Sequence, residues 1–345
     1  MSQSSQPATL VVGPAWVGDM VMAQSLFKLH QQQHPERAID VLAPDWTQGL
    51  LARMPEVRKA VSLPLAHGQL GLGIRRQVAQ DLKEQAYTNA IVLPNSWKSA
   101  LVPWLADIPV RTGFIGEFRF GLLNDWRRLD RHKLYRTVDR FASLGLPRKA
   151  PLPSTIPQPA LNVQTPQATL DEIELKTPER PLLGLCPGAE YGPAKRWPER
   201  HFAELARRHI SQGGTVWVLG SDKDKVFGER IREFAAVDKT ACVNLCGNTS
   251  LAQAIDLMSL CDAIVSNDSG LMHVAAALDK PLVAVYGSSD PEFTPPLNPR
   301  AQIVSLQLEC SPCFARECPL AHTDCLNQLS PSTVEESLLK HHPFN

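Results

Sequence analysis

Val265-Ser266-Asn267-Asp268-Ser269-Gly270-Leu271-Met272-His273-Val274-Ala275-Ala276-Ala277-Leu278, followed by Pro281-Leu282-Val283-Ala284-Val285-Tyr286-Gly287, decides the fold. An apolar run ends in a polar, glycine-bearing turn, an alanine-rich stretch of helix length follows, and a second apolar run closes the segment. The pattern predicts strand, turn, helix and strand, one repeat unit of a parallel sheet. Asp268, Ser269 and Gly270 then fall where a strand's carboxyl end meets a helix N-terminus. Free backbone N–H groups and the helix dipole favour a phosphate there. His273 lies one helical turn further on, in phase with the same anion. Helix capping alone accounts for the Asp and the Ser, but not for the adjacent Gly and the in-phase His.

Working outward, Thr9-Leu10-Val11-Val12-Gly13, Ile39-Asp40-Val41-Leu42 and Ala90-Ile91-Val92-Leu93 read as further strands, separated by helix-length segments. Leu182-Leu183-Gly184-Leu185-Cys186 and Thr215-Val216-Trp217-Val218-Leu219 begin a second such series, around a helix at about 200–212. Between them, from about Lys149 to Pro181, the periodicity dissolves into prolines, as in an interdomain connection. The expectation is an α/β chain of two doubly wound, Rossmann-like parallel-sheet domains, residues 1–165 and 166–345. Ligands of such sheets bind at the strands' carboxyl ends, in the cleft that two tandem domains form. The 345 residues suit two domains and show no internal repeat.

At 43% hydrophobic residues and zero formal charge the chain reads as globular. The zero hides an asymmetry: residues 1–150 carry 19 Lys and Arg against 12 Asp and Glu, a balance of +7, and the remainder carries −7. A basic first half suits an anionic partner. Nucleic acid is disfavoured, because basic and aromatic residues do not interleave and no groove-reading motif occurs. No run of 18 apolar residues and no signal-like N-terminus is found, which predicts a cytoplasmic protein. Cys186, Cys242, Cys246 and Cys261 lie in apolar sequence and read as reduced core residues.

Two loops carry the remaining chemistry. Gly13-Pro14-Ala15-Trp16-Val17-Gly18-Asp19 leads from strand to helix but lacks the third glycine of a dinucleotide fingerprint. It sets Asp19 at a helix start, suited either to accepting a proton or to an ordinary first-turn acid. Pro187-Gly188-Ala189-Glu190-Tyr191-Gly192-Pro193-Ala194-Lys195-Arg196-Trp197-Pro198 allows close backbone approach and adds the cation of Lys195 beside the Asp268 turn. Trp197 and Pro198 read as anchors of the helix start. Gly220-Ser221-Asp222-Lys223-Asp224 ends the next strand, with carboxylates suited to ribose hydroxyls or simply to solvent.

Together with Leu93-Pro94-Asn95-Ser96-Trp97-Lys98-Ser99-Ala100-Leu101, these segments closely resemble the ADP-heptose:lipopolysaccharide heptosyltransferases, from about Leu10 to Pro296. The Asn95–Leu101 and Pro187–Pro198 motifs are most like the type II branch. The resemblance implies an inverting GT-B enzyme that moves L-glycero-D-manno-heptose from ADP-heptose to the first heptose of the inner core. It implies Asp19 as general base and Lys195 as the cation at the diphosphate. Gly188, Glu190, Tyr191, Asp224, Thr249, Asp268, Ser269, Gly270 and His273 would face the donor, Asp224 at the ribose and Thr249 near the adenine. Asn95, Ser96, Lys98 and Arg111 would face a lipid A-Kdo-heptose acceptor, with peripheral contact to the cytoplasmic face of the inner membrane. No cofactor is expected for catalysis, since the one Asp-x-Asp pattern, Asp222-Lys223-Asp224, lies in the loop assigned to ribose. Another cytoplasmic GT-B transferase would share the fold and crevice but not the donor, and a two-domain solute-binding protein, which also closes two lobes on a ligand, is disfavoured because no signal sequence is found.

The tail is the part the resemblance leaves over. Cys310-Ser311-Pro312-Cys313 has the two-residue gap of zinc sites, with Cys318, His322 and Cys325 behind it. The four cysteines fit either a structural zinc or reduced thiols packed on the second domain.

Overall fold

A run such as Leu10-Val11-Val12 is buried on both faces only if it sits between other parallel strands. In the computed structural model, which describes residues 7–66 and 68–341, the central strands do so. The chain divides after Pro159 into two compact units.

In the first unit, β1 (Ala8–Val12), β2 (Ala38–Ala43), β3 (Val57–Ser62), β4 (Asn89–Val92), β5 (Val110–Phe114) and β6 (Asp125–Arg127) form one sheet in the order β3-β2-β1-β4-β5-β6. Every pairing is parallel, with Leu10 beside Asp40 on one side and Ala90 on the other. In the second unit, β7 (Leu182–Cys186), β8 (Thr215–Val218), β9 (Cys242–Asn244), β10 (Ala263–Asn267), β11 (Leu282–Val285) and β12 (Gln302–Val304) form a sheet in the order β12-β11-β10-β7-β8-β9. Read from its far edge, this order repeats that of the first sheet. The strand order reverses direction at β1/β4 and at β7/β10, and these switch points open crevices at the strands' carboxyl ends.

The expected doubly wound parallel sheet is therefore present twice. Leu183, Leu185, Val216, Val218, Val265 and Val283 are buried at 0% exposure beneath helix residues such as Phe202, Leu205 and Ile231. Full burial of each such side chain contributes roughly 1.5–3 kcal/mol. Cys186, Cys242, Cys246 and Cys261 are buried free thiols, the last three pushed up to about 12 by burial first.

The proline-rich connection is more ordered than its composition predicts. Pro166 opens a helix, Pro166–Glu172, because a proline at a helix start costs no hydrogen bond. That helix packs on the helix Leu251–Leu260, and the buried Asp256 accepts from the Gln164 backbone N–H at 3.1 Å. No described helix is long and apolar enough to cross a membrane.

Candidate active site

The opening segment folds as its pattern predicts, with β10 ending at Asn267, Ser269 at the N-cap, and the helix Gly270–Ala277 beyond. Lys195, on a short turn at Pro193–Lys195 after β7, reaches across the switch point to Asp268. Its Nζ lies 2.5 Å from Oδ2, with the carboxylate only 5% exposed. The ammonium also sits over the Tyr191 ring, 5.3 Å from its centre. A buried carboxylate thus fixes a cation at the mouth of a helix N-terminus whose Ser269 side chain makes no cap bond. His273 is in phase as expected but brings no charge. Burial, with Asp268 opposing and Lys195 reinforcing, lowers its pKa to about 4, so the imidazole is neutral near pH 7.

The other residues expected to face a donor follow the same carboxyl edge in strand order. Gly188 follows β7, and a Cβ on it would lie 2.6 Å from Asp224 Oδ2, so only glycine lets the two loops touch. Asp224 is 8% exposed and uses Oδ2 to accept from the Ser221 backbone N–H at 2.9 Å and its hydroxyl at 2.7 Å. Glu190 pairs with Lys223 on the exposed side of this edge. Thr249 lies in the turn after β9, next to Ser250, which caps the helix Leu251–Leu260. Trp197 is fully buried and Pro198 is the N-cap of the helix Glu199–Ser211, as the sequence predicts for an anchor.

Three residues here escape sequence reasoning. Asn267 is fully buried; its amide donates to the Pro187 carbonyl at 2.7 Å and accepts from the Trp197 N–H at 3.1 Å, tying both ends of the Lys195 loop to β10. Ser288 and Ser289 follow β11 on the same edge at 2% and 5% exposure, and their hydroxyl oxygens have no partner among the described residues. Buried hydroxyls left in that state favour a polar ligand. The hydroxyl-rich Ser288-Ser289 pair was the available sequence signal. Among the described residues, no three His, Cys, Asp or Glu side chains already stand as an array that could hold a metal ion.

In the first unit, Asp19 lies in the first turn of the helix Val17–Gln33, after β1, and Asn95, Ser96 and Lys98 follow β4. These are the two strands of that switch point. Arg111 is not brought to this edge. It sits at the amino end of β5, where its guanidinium donates to the carbonyls of Leu122 (2.7 Å) and Ile108 (2.6 Å), and burial lowers its pKa. A sequence reveals that an arginine flanks a strand, not which carbonyls need it. Arg119 is likewise internal. At 1% exposure it donates to the carbonyls of Pro94 (2.6 Å), Ser96 (3.2 Å) and Phe114 (3.0 Å), pinning the Asn95–Lys98 loop to the loop after β5. Burial brings its pKa down to about 10.

Comparison with known proteins places these residues in context. The pattern of glycosyltransferase family 9 (heptosyltransferase) matches residues 75–323. Lipopolysaccharide heptosyltransferase 2 of Salmonella typhimurium is 50% identical over 305 residues, covering 86% of this chain and 87% of that protein. Lipooligosaccharide heptosyltransferase 2 of Haemophilus influenzae is 48% identical over 86% of this chain and 88% of its own. Among solved structures, E. coli ADP-heptose lps heptosyltransferase II superposes with a TM-score of 0.87 at 44% identity, over 97% of this chain and 98% of that one.

Proposed function

The chain belongs to glycosyltransferase family 9, the heptosyltransferases, and from that premise we propose that it transfers L-glycero-D-manno-heptose from ADP-heptose to the first heptose of the lipopolysaccharide inner core, inverting the anomeric carbon. It is a glycosyltransferase of the GT-B class. The observation that carries the reading is the Lys195–Asp268 pair at the switch point of the second sheet.

In this reading the second unit holds the donor. Asp268 keeps the Lys195 ammonium in place before the diphosphate arrives, so little reorganisation is needed when charge develops. The free N–H groups of the helix Gly270–Ala277 and the hydroxyls of Ser269, Ser288 and Ser289 complete the diphosphate cradle. Neutral His273 contributes a hydrogen bond. Gly188 admits the phosphates closely, Glu190 and Tyr191 wall the cradle, Asp224 offers Oδ1 to the ribose, and Thr249 borders the adenine. The first unit holds the acceptor on Asn95, Ser96 and Lys98. Asp19 accepts the proton of the attacking hydroxyl, the oxygen forms its bond to the anomeric carbon, and the electron pair of the breaking C–O bond leaves with ADP. Because the acceptor is anchored in lipid, the cytoplasmic enzyme works in peripheral contact with the inner membrane.

The test is transfer by the purified chain to a deacylated Kdo-heptose acceptor, comparing ADP-heptose with UDP-sugars. Release of ADP with a β-to-α change at the new linkage, or the reverse, is expected for ADP-heptose alone. Retention of configuration, or equal use of UDP-sugars, would overturn the assignment. Lys195→Ala is expected to weaken ADP binding and slow turnover together, because the ammonium meets both the bound and the developing charge. Unchanged calorimetric affinity and unchanged turnover would remove Lys195 from the diphosphate.

A further inference from the structure

Residues 305–323 contain no helix or strand beyond isolated turns, and none of them is buried. Leu306 and Leu308, at its start, pack against the apolar core of the second unit, and the residues beyond them are ordered at a cost in backbone entropy. Phe314, Ala321 and Thr323 nonetheless adopt left-handed backbone conformations, with φ of 54°, 57° and 53°.

Cys310, Cys313, Cys318 and Cys325, with His322, line one cavity of about 20 Å³, enough for a single water-sized body. All four are free thiols. Cys318 Sγ accepts the Thr323 backbone N–H at 3.4 Å, a contact that favours the thiolate. His322 Nδ1 is already engaged, accepting the Asp324 N–H at 2.9 Å. The sulfurs surround the cavity without standing at ligand spacing. Cys310 and Cys313 are exposed, so they can rotate inward without repacking a core.

We propose that Cys310, Cys313, Cys318 and Cys325 close on one thiophilic divalent cation of the zinc class, and that this ion braces the loop carrying Lys195. Each thiol releases its proton to solvent as its sulfur takes a coordination position, and four sulfurs complete the tetrahedron zinc prefers. The brace is a short chain of contacts. The Arg316 carbonyl, between Cys313 and Cys318, accepts the Ala194 N–H at 3.1 Å, and Arg316 Nε donates to the Tyr191 carbonyl at 2.8 Å. The Tyr191 hydroxyl donates to the Phe314 carbonyl at 2.9 Å, and the Phe314 N–H donates to the Ser288 carbonyl at 2.7 Å. Ala194 and Ser288 themselves line the cavity. The ion fixes residues 310–325, and through Arg316 and Phe314 these fix residues 191–194 and Ser288.

The 345-residue chain, purified reduced and without chelator, is expected to carry about one zinc per chain. Native thiol titration should expose four additional thiols when the ion is stripped, and the stripped chain should take up Co²⁺ with the visible absorption of a tetrahedral thiolate site. Cys318→Ser should lose the ion. Arg316→Ala, which leaves every thiol in place, should retain it. Stripping the wild type and Arg316→Ala should each raise the KM for ADP-heptose several-fold. A folded, reduced chain that neither carries nor takes up Zn²⁺ or Co²⁺, or one isolated with these cysteines as disulfides, overturns the site. Unchanged donor KM after both stripping and Arg316→Ala overturns the brace. The donor measurement rests on the ADP-heptose reading, whereas metal content, thiol count and Co²⁺ spectra do not, so the two failures are distinguishable.

Discussion

At the scale of single residues, the sharpest expectation concerns Asp19. Asp19→Asn is nearly isosteric but cannot take a proton, so turnover should fall by about 10²–10⁴-fold while ADP affinity is retained. Near wild-type turnover at saturating acceptor would exclude it as the base. His273 and His30 set a second expectation, one in each unit. Both are 4% exposed, and burial first lowers each to about 4. An unfolded histidine titrates near 6.5, so between pH 6.5 and 4 the unfolded chain binds more protons than the folded one. Their contribution is therefore complete above pH 6.5 and is lost as pH falls toward 4. Denaturant midpoints should drop between pH 7 and 5 by the equivalent of roughly 1–2 kcal/mol per histidine. His273→Gln should flatten that slope, and an unchanged slope would mean the imidazole is not held neutral. Lys195 and Asp268 were legible in the sequence because each stands in a loop at a strand's carboxyl end. Asn267 was not, because its partners Pro187 and Trp197 lie 80 and 70 residues away. Arg111 was misplaced for a related reason: which end of β5 it occupies depends on strand limits that its own neighbourhood does not fix.

At the scale of elements, the central strands were readable and the edges were not. β1, β4, β7 and β10 are continuous apolar runs or nearly so, whereas β3 (VRKAVS) is half exposed and β6, β9 and β12 are only three residues each. Edge strands need only one hydrogen-bonding neighbour and little burial, so their sequences carry weak periodicity. The loops at the site depend instead on close approach. Gly188→Ala would drive a Cβ to 2.6 Å from Asp224, which must then leave Ser221 or push the Lys195 loop outward. The expected outcome is destabilisation of about 1–3 kcal/mol by overpacking, with weaker ADP binding. Gly73→Ala, in the helix Leu72–Lys83 with open space around it, is the matched control and should be neutral or slightly stabilising. Equal behaviour of the two variants would show that the contact between Gly188 and Asp224 is slack.

At the scale of the whole molecule, one strand order is used twice in a chain whose sequence shows no repeat. Topology is set by apolar runs and turn chemistry, which many sequences satisfy. The charge asymmetry between the halves needs finer reading than a sum. Arg111, Arg119 and Arg127 donate to backbone carbonyls and serve the fold, which leaves Lys98 and the exposed Arg128 near the carboxyl edge for an anionic acceptor. Raising salt should therefore increase the acceptor KM more than the donor KM, because screening acts hardest on exposed charges. Lys98→Ala with Arg128→Ala should reproduce that effect, whereas Arg119→Ala should chiefly lower the melting temperature. Equal salt effects on both substrates would deny the first unit an electrostatic role. The unburied stretch 305–323 carries one more consequence. Arg316 is an exposed trypsin site inside it, while Leu326, Leu329, Val334 and Leu338 beyond it are at 2% exposure or less in the core of the second unit. A nick at Arg316 would therefore leave two fragments that migrate together as an intact protein on a native gel, yet the carbonyl that accepts the Ala194 N–H would sit at a free chain end, so a preparation would look whole while its donor KM had risen.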